Sequence, residues 1–245
     1  MVGWSIEGVA QDGVGTETLP STLPATAATP ADGMLADGMP PEEDARRTYL
    51  GRIVAQPMSH LGAPWLIRGN RQDEEDVAAS YDQLRLTDGM VVVDLGCGNG
   101  FWTLPMARDV GPQGRVYAVD IQREMLQLLR ERADRETIEN VTPVLGEVND
   151  PRLPDGVVDL LLMVDVYHEF SHPESMLWHI RRSLSPRGVV ALLEYRGEDD
   201  AVPIKPLHKM TEAQARLEVE AAGFGFVENL DVLPQQHLLV FERPD

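Results

Sequence analysis

The sequence VVVDLGCGNGFW, residues 91–102, decides the fold: a run of apolar β-forming residues and one acid precede three glycines at every second position. The valines predict a buried strand, since short apolar β-branched runs followed by turn residues are typical of parallel sheets. The glycines allow the backbone to turn sharply and to approach a ligand with no Cβ in the way. We therefore expect a ligand-binding loop at the carboxyl end of a central strand, where open α/β sheets bind their ligands.

The rest of the chain alternates predicted strands with predicted helices. Strands are expected in MVVVDL, RVYAVD, VTPVLG, VVDLLLMVD, GVVALLEY, FGFVENLDV and HLLVFER, and helices in EEDVAASYDQL, WTLPMARDV, QREMLQLLRERAD, PESMLWHIRRSL and TEAQARLEVEAAG. This alternation predicts an α/β fold, a Rossmann-like seven-stranded and mostly parallel sheet with helices on both faces. The link between the last two strands is too short for a crossover, so the last strand is expected to be antiparallel.

The N-terminal part of the chain differs in composition from the rest. Residues 1–40 are rich in Gly, Pro, Thr and Ala and show no periodicity, which predicts a disordered leader. Residues 41–70 are predicted to form a short helix, ending at about Ala55, and then a lid segment that contains MSHLGAPWLIRG. The helix is expected because acids precede arginines in PEEDARR, the order that suits the helix dipole. Residues 71–245 are the predicted ligand-binding domain.

The chain is strongly acidic, with 40 acidic against 21 basic residues among 245 and a formal net charge of −19. Such a surface repels polyphosphates, so nucleic acid is not expected as a partner. No apolar run approaches the roughly 18 residues of a membrane span, and the N-terminus lacks the pattern of a secretory signal. We therefore expect a cytoplasmic protein. Its single cysteine, Cys97, excludes an internal disulfide.

The spacing of the glycine loop separates two classes of cofactor. A dinucleotide site requires G-x-G-x-x-G or G-x-G-x-x-A, because a small third residue lets the following helix pack beneath the pyrophosphate. Counted from Gly96 that position is Phe101, and counted from Gly98 it is Thr103. Neither residue is small enough, so the pattern disfavours a nicotinamide-dependent oxidoreductase.

The observed spacing D-x-G-x-G-x-G, residues 94–100, resembles the first motif of the class I S-adenosylmethionine-dependent methyltransferases. The resemblance covers roughly residues 70–245 and implies S-adenosyl-L-methionine as the cofactor. It also implies that the loop contacts the methionine and ribose parts of the cofactor, and that the first acid supports the loop without transferring a proton. The implied contact residues are Asp94, Gly96, Cys97, Gly98, Asn99 and Gly100.

Two later segments also match the pattern of that family. VYAVD ends with Asp120, where the family's acid accepts hydrogen bonds from both ribose hydroxyls, and Ile121 follows as an apolar face for adenine. In LGEVND, Glu147 resembles the acid beside the adenine amino group, and Val148 offers its backbone N–H. Asp150 is a nearby alternative to Glu147.

The nearest likeness is to the small-molecule branch of the family, which includes the quinone-biosynthesis type of methyltransferase. Within that branch, the segments MVDVYHEFSHPE and IKPLHKM resemble those of a bacterial group of methyltransferase-domain proteins. The resemblance implies the cofactor and does not identify a substrate; we expect a small-molecule methyl acceptor. An alternative of a different class is a regulatory or scaffold domain that binds S-adenosylmethionine without catalysis.

Residues after the fourth strand are candidates for catalysis. Asp165 lies in MVDVYHEF, which resembles the segment under the cofactor's methionine part and methyl group. His168 follows three residues later and titrates near neutrality, so it is the predicted general base, with a packing role as the alternative. Glu169 and His172 lie close enough in sequence to suggest a metal site with His168. We predict no metal, because H-E-x-x-H requires a continuous helix and the segment SHP reads as a loop.

Two segments are predicted to contact the methyl acceptor. The lid offers His60 and Trp65, although Trp65 is equally consistent with a hydrophobic plug against the sheet. The long loop EYRGEDDAVPIKPLHKM follows the fifth strand and offers Tyr195 and His208. Long loops at this edge of a sheet often carry function.

Overall fold

The computed structural model describes residues 47–244. The predicted disordered leader and the start of the predicted N-terminal helix lie outside the described residues. Where the structure describes this region, the helix prediction is wrong. Thr48–Tyr49 (β1) and Arg52–Ile53 (β2) pair as an antiparallel hairpin. Leu50 and Gly51 form its turn with φ angles of 44° and 94°, which an α-helix does not contain.

A seven-stranded sheet forms the centre of the described residues, as the alternation of the sequence predicts. Its strands are β3 (Val91–Leu95), β4 (Arg115–Asp120), β5 (Val141–Leu145), β6 (Val158–Val164), β7 (Leu184–Tyr195), β8 (Gly225–Asn229) and β9 (Gln236–Glu242). The strand order is β5-β4-β3-β6-β7-β9-β8. The strands β3 to β7 are parallel to one another, whereas β9 pairs antiparallel with both β7 and β8. The predicted fold class is confirmed.

Seven α-helices accompany the strands in the described residues. They are α1 (Ala63–Leu66), α2 (Arg71–Glu74), α3 (Val77–Gln83), α4 (Thr103–Asp109), α5 (Arg123–Arg135), α6 (Pro173–Ser183) and α7 (Glu212–Ala221). The single helix predicted for EEDVAASYDQL is interrupted by Asp76, whose φ of 44° is left-handed. Between residues 47 and 244, no helix combines the length and the apolar character needed to cross a membrane.

Both faces of the sheet carry a hydrophobic core, which explains why its inner strands read as continuous apolar runs. On one face, Leu177 of α6 and Val219 of α7 pack in a cluster with Val93. In a second cluster, Met106 of α4 packs with Val92. Adjacent residues of β3 thus belong to two different clusters, as the alternation of side chains along a strand requires.

The position of β3 determines where a ligand site is expected. Its neighbours are β4 on one side and β6 on the other, so the connections of the sheet change direction at β3. The parallel strands β3 to β7 all end at the same edge. A crevice at this edge and at this switch point is the usual ligand site of an open α/β sheet.

Candidate active site

A cavity of about 770 Å³ opens at the carboxyl ends of the parallel strands. Its walls come from the loops after β3, β4, β5, β6 and β7 and from the lid segment of residues 56–66. Most of the predicted site residues line it: Trp65, Gly96, Gly98, Asp120, Ile121, Glu147, Val148, Asp165, His168, Tyr195 and His208. The structure thus brings together residues that are up to 143 positions apart in the sequence, from Trp65 to His208.

The glycine loop forms a wall of bare backbone. Gly96 and Gly98 have φ angles of 79° and 52°, in the left-handed region that glycine adopts without strain. A Cβ on Gly96 would lie 2.5 Å from Val166 Cγ2, and a Cβ on Gly98 would lie 2.6 Å from Leu66 Cδ1. The loop therefore has no space for side chains at these two positions, and its backbone itself borders the cavity.

Several predicted cofactor residues lie behind this loop and do not line the cavity. The Asp94 carboxylate accepts a hydrogen bond from the Thr103 hydroxyl at 2.5 Å, which ties β3 to the first residue of α4. Asn99 donates to the Ala63 carbonyl at 2.8 Å and so ties the loop to α1. Cys97 is buried, and Gly100 lies against Leu129 of α5. These residues shape the loop from its rear face.

Burial governs the ionisation of the groups behind the loop. It raises the pKa of Asp94 to about 6, despite the hydrogen bond from Thr103. Burial and the nearby acids Asp94 and Asp120 also raise the pKa of the Cys97 thiol above its ordinary value. The thiol is therefore held in its neutral form, which is unsuited to nucleophilic chemistry.

Asp120 occupies the end of β4 with its carboxylate fixed on both sides. Its Oδ2 accepts the Gly98 N–H at 3.0 Å, and its Oδ1 accepts the Gln122 N–H at 2.8 Å. Burial raises the pKa of Asp120, although these backbone hydrogen bonds oppose the rise. The carboxylate therefore links the glycine loop to the loop after β4 and borders the same cavity as both.

The lid is fastened over the cavity by a residue that the sequence analysis missed. Gln122 Oε1 accepts the His60 backbone N–H at 2.7 Å, and Gln122 Nε2 donates to the Met58 carbonyl at 2.8 Å. A second attachment is the Met58 N–H, which donates to Glu169 Oε1 at 3.2 Å. The side chain of His60 does not line the cavity, so this predicted substrate residue contributes through its backbone.

His168, the predicted general base, has both ring nitrogens engaged. Its Nδ1 lies 2.7 Å from Glu194 Oε2, and its Nε2 lies 3.0 Å from His208 Nδ1. Burial opposes the charged form of His168, but Glu194 outweighs this effect and raises the pKa of the imidazole. Burial and the neighbouring His168 lower the pKa of His208. A glutamate in the apolar strand GVVALLEY was the available signal for Glu194, which the sequence analysis did not use.

The alternative partner of His168 in the sequence, His172, lies elsewhere. His172 is buried, pairs with the Ser171 hydroxyl at 2.9 Å and does not line the cavity. The structure therefore does not bring the two histidines of H-E-x-x-H to one site. His208, from the loop after β7, occupies the position beside His168.

Carboxylates dominate the electrostatics of the cavity. Burial, together with repulsion from Glu194, raises the pKa of Asp165 to about 8. Burial raises the pKa of Glu169 to about 7, against the opposing effects of His168 and the Met58 N–H. Raised acid pKa values mean that the cavity disfavours further negative charge and favours a bound cation.

The lid side of the cavity also carries an arginine that sequence reasoning missed. Arg71 is buried, contacts Glu75 at 2.8 Å and stacks its guanidinium 4.3 Å above the ring of Phe101. The Tyr195 hydroxyl donates to Glu75 at 3.1 Å. Trp65 remains 46% exposed at the mouth, which does not fit a plug buried against the sheet.

Comparison with known proteins identifies the family. A family model described as "Methyltransferase domain" matches residues 86–230, more than half of the chain. An uncharacterised 37.1 kDa protein in transposon TN4556 from Streptomyces fradiae is 33% identical over 124 residues, 49% of this chain and 35% of that protein. A demethylmenaquinone methyltransferase from Anoxybacillus flavithermus is 29% identical over 112 residues, 46% of this chain and 47% of that enzyme. The chain spans about half or less of the length of these curated relatives.

The fold comparison agrees with the family model. The crystal structure of an S-adenosylmethionine-dependent methyltransferase from Aquifex aeolicus superimposes with a TM-score of 0.71 at 26% identity, covering 76% of this chain and 98% of that one. The glycine loop, Asp120 at the end of β4 and the strands β3 to β8 lie within the residues that the family model matches. The chain therefore belongs to the class I S-adenosylmethionine-dependent methyltransferase family.

Proposed function

We propose that this protein transfers the methyl group of S-adenosylmethionine to a small-molecule acceptor. The observation that carries the proposal is that Asp120, tied to the glycine loop, and His168 line one cavity. We propose that the first group marks the place for the cofactor's ribose, and the second the place where an acceptor would meet the methyl group.

The residues present fit the cofactor. Gly96 and Gly98 leave bare backbone along the cavity, where a methionine chain lies close without steric conflict. We propose that the Asp120 carboxylate accepts hydrogen bonds from the ribose hydroxyls. Ile121 and Val148 are exposed apolar side chains at the same end and are proposed to cover the faces of adenine. Glu147, the predicted partner of the adenine amino group, also lines the cavity but is paired with Arg152.

The charge of the cavity supports the same cofactor. Bound S-adenosylmethionine would supply an activated methyl carbon on a positively charged sulfur. Asp165 and Glu169 line the cavity near His168, where we propose that the methyl group lies, and both favour a neighbouring cation. The protein's task is then to hold the acceptor atom in line at about 3 to 3.5 Å from the methyl carbon and to exclude water.

The shape and lining of the cavity support a small, largely apolar acceptor. Its lining includes the apolar side chains of Met58, Phe170, Met176 and Ile204. The lid is hydrogen-bonded to two loops of the sheet, which limits the space to a compact ligand. Relatives named demethylmenaquinone methyltransferases support a quinone-like acceptor. The net charge of −19 disfavours nucleic acid as the acceptor.

We propose that the His168–His208 pair controls the proton of the acceptor. Glu194 fixes the orientation of His168, and His208, from the loop of residues 196–211, contacts His168 Nε2. A pair of imidazoles fixed in this way is suited to act on a hydroxyl or an activated carbon next to the methyl group.

Calorimetric titration and a methyl-transfer assay test this function. We expect S-adenosylhomocysteine and S-adenosylmethionine to bind at one site and NAD(H) not to bind. We expect labelled methyl groups to reach phenol-type or quinol-type acceptors. A preference for NAD(H) would overturn the proposal, and tight S-adenosylmethionine binding without transfer to any acceptor class would favour the regulatory alternative.

A further inference from the structure

Three potential ligand atoms converge at the lid end of the cavity. They are His168 Nε2, Glu169 Oε1 and His208 Nδ1, which all lie within 4.8 Å of one another. His168 and Glu169 belong to the 3-10 turn after β6, and His208 ends the 3-10 turn of Pro206–His208 after β7. All three residues line the cavity.

We propose that His168, Glu169 and His208 bind a divalent transition-metal ion. Two imidazole nitrogens and one carboxylate oxygen form a donor set typical of Zn²⁺ and of non-haem Fe²⁺ sites. Three protein ligands leave at least one coordination position open, as catalytic metal sites do. Because all three residues line the cavity, an acceptor bound there could supply a further oxygen ligand.

The distances suit a metal with small adjustments. His168 Nε2 and His208 Nδ1 are 3.0 Å apart. Metal–nitrogen bonds of about 2.0 to 2.1 Å would span this separation at an angle of roughly 95°. His168 Nε2 and Glu169 Oε1 are 3.9 Å apart, compared with about 3.4 Å between ligand atoms in a tetrahedral site. A movement of Glu169 on the order of 0.5 Å closes that difference.

Surrounding hydrogen bonds already orient two of the three ligands, His168 and Glu169. Glu194 is fully buried and binds His168 Nδ1 at 2.7 Å, which leaves Nε2 directed at the cluster. A carboxylate on the far nitrogen of a metal-bound histidine fixes the tautomer and raises the basicity of the ligand. Glu169 Oε1 accepts the Met58 N–H at 3.2 Å and retains a lone pair for a metal.

The backbone of the turn is fixed as well. The His168 carbonyl accepts the Ala55 N–H at 3.1 Å and an Arg52 N–H at 2.8 Å, both from the hairpin side of the molecule. Preorganised ligands lose little conformational entropy when the ion binds.

The prediction of no metal depended on the pair His168 and His172, which the structure separates. The third ligand instead comes from His208, 40 residues further along the chain than His168, so no local motif in the sequence indicates the site.

The charge around the cluster also favours a bound ion. Glu169, Glu194 and Asp165 are the acids near it. The described cations near it are Lys205, in the same loop as His208, and Arg52, behind the turn.

An ion at this position would take over from the imidazole pair, because His168 Nε2 and His208 Nδ1 accept no proton once they are bound to a metal. The ion would act on the acceptor directly. A bound divalent cation polarises an oxygen ligand and lowers its pKa, so the proton of an acceptor hydroxyl would leave to water before methyl transfer. The binding site itself does not rest on the proposed function, because metal binding is measurable without S-adenosylmethionine or an acceptor.

The test is calorimetry with ZnCl₂ on the full chain, free of an affinity tag and stripped by a chelator. All six histidines of the sequence lie within the described residues, so the surroundings of every histidine that could compete for Zn²⁺ are described. We expect one Zn²⁺ per chain, and we expect His208→Ala and Glu169→Gln to weaken binding at least about 10-fold. Glu194→Gln is expected to weaken it by about 10-fold through the orientation of His168. Co²⁺ in place of Zn²⁺ should give visible absorption bands that His208→Ala removes.

His179→Ala is the matched control. His179 is a partly exposed histidine on α6 that lies 3.7 Å from Asp150, outside the cavity, so it is also a histidine beside a carboxylate. Its variant should bind Zn²⁺ like the wild type. The proposal is overturned if no saturable site with one ion per chain exists, or if a folded His208→Ala variant binds Zn²⁺ as tightly as His179→Ala. A wild-type protein that binds Zn²⁺ but does not bind S-adenosylmethionine would instead count against the proposed function.

Discussion

At the scale of single residues, Asp120 is the carboxylate on which the cofactor assignment depends most. It lines the cavity and is held by the Gly98 and Gln122 N–H groups. We predict that Asp120→Ala weakens S-adenosylhomocysteine binding by about 1 to 3 kcal/mol, because charge-assisted hydrogen bonds to the ribose are lost. Calorimetry measures this change. The control Asp134→Ala removes an exposed aspartate of α5 that does not line the cavity; equal binding by Asp120→Ala and the wild type would contradict the ribose assignment.

Asp94 leads to a prediction about stability. Its pKa is raised by burial to about 6, compared with about 3.9 in an unfolded chain. The fold thus favours the neutral carboxyl, and this stabilisation, fully present below about pH 4, is lost as the pH rises to about 6, by up to about 3 kcal/mol. Asp94→Asn should therefore be more stable than the ligand-free wild type at pH 7 and similar to it at pH 4. Urea unfolding at both values measures this, and a variant less stable than the wild type at pH 7 contradicts it.

The candidate site could be predicted from the sequence only where a motif determines that a residue points toward the ligand. Gly96, Gly98 and Asp120 line the cavity as predicted, because a glycine loop after a strand has one way to face a ligand. Spacing does not show which other side chains of the loop point inward, and Asp94 and Asn99 point away. Gln122 and Arg71 belong to polar helical segments, where nothing in the pattern separates a site residue from a solvated one.

At the scale of elements, the hairpin β1–β2 is joined to the turn that carries His168. Arg52 of β2 contacts both carboxylate oxygens of Glu218 in α7, at 2.7 and 2.8 Å, and also donates to the His168 carbonyl. The pair is buried. Removing one partner of a buried ion pair costs about 3 to 5 kcal/mol, because the other charge stays desolvated.

We predict that Arg52→Ala lowers the free energy of unfolding by at least about 3 kcal/mol. Denaturant unfolding measures this, and the double variant Arg52→Met with Glu218→Leu should recover much of the loss. Arg216→Ala is the control, since Arg216 forms exposed pairs with Glu212 and Glu220 on the same helix and should cost below about 0.5 kcal/mol. If the two arginine variants have the same free energy of unfolding, Arg52 does not stabilise the turn.

The lid provides the second prediction at this scale. Gln122→Ala removes the hydrogen bonds to the His60 N–H and the Met58 carbonyl. The loss of two such bonds, about 1 to 2 kcal/mol, should speed hydrogen exchange of residues 58–62 by about 5- to 30-fold. Mass spectrometry resolves this segment from the sheet. Gln127→Ala, an exposed position on α5, serves as the control; unchanged exchange at the lid in Gln122→Ala shows that other contacts hold it closed.

Elements differ in how well the sequence predicts them, and their length is the reason. The sheet strands were predicted because runs such as VVVDL are long enough to show an apolar pattern. The strands β1 and β2 have two residues each, which is too short for any periodicity, and the acids before Arg46 suggested a helix instead. The left-handed Asp76 also interrupts a helical pattern without a glycine or proline to mark the break.

At the scale of the whole molecule, the site exists only when the sheet is assembled. Its walls come from five strand ends that are contributed by residues from Leu95 to Tyr195, so an unfolded chain has no such cavity. A ligand of the assembled site must therefore stabilise the entire fold by linkage, by about 2.7 kcal/mol at 100 times its dissociation constant.

For a chain of this size, that free energy corresponds to a rise of about 5 to 11 °C in melting temperature. We predict this rise with S-adenosylhomocysteine, and no rise with NAD(H), because Phe101 and Thr103 occupy the positions where a dinucleotide loop needs a small residue. Calorimetric melting at several ligand concentrations measures it. Asp120→Ala should require a higher ligand concentration for the same shift, whereas a shift with NAD(H) of equal size would falsify the assignment of the cavity to S-adenosylmethionine.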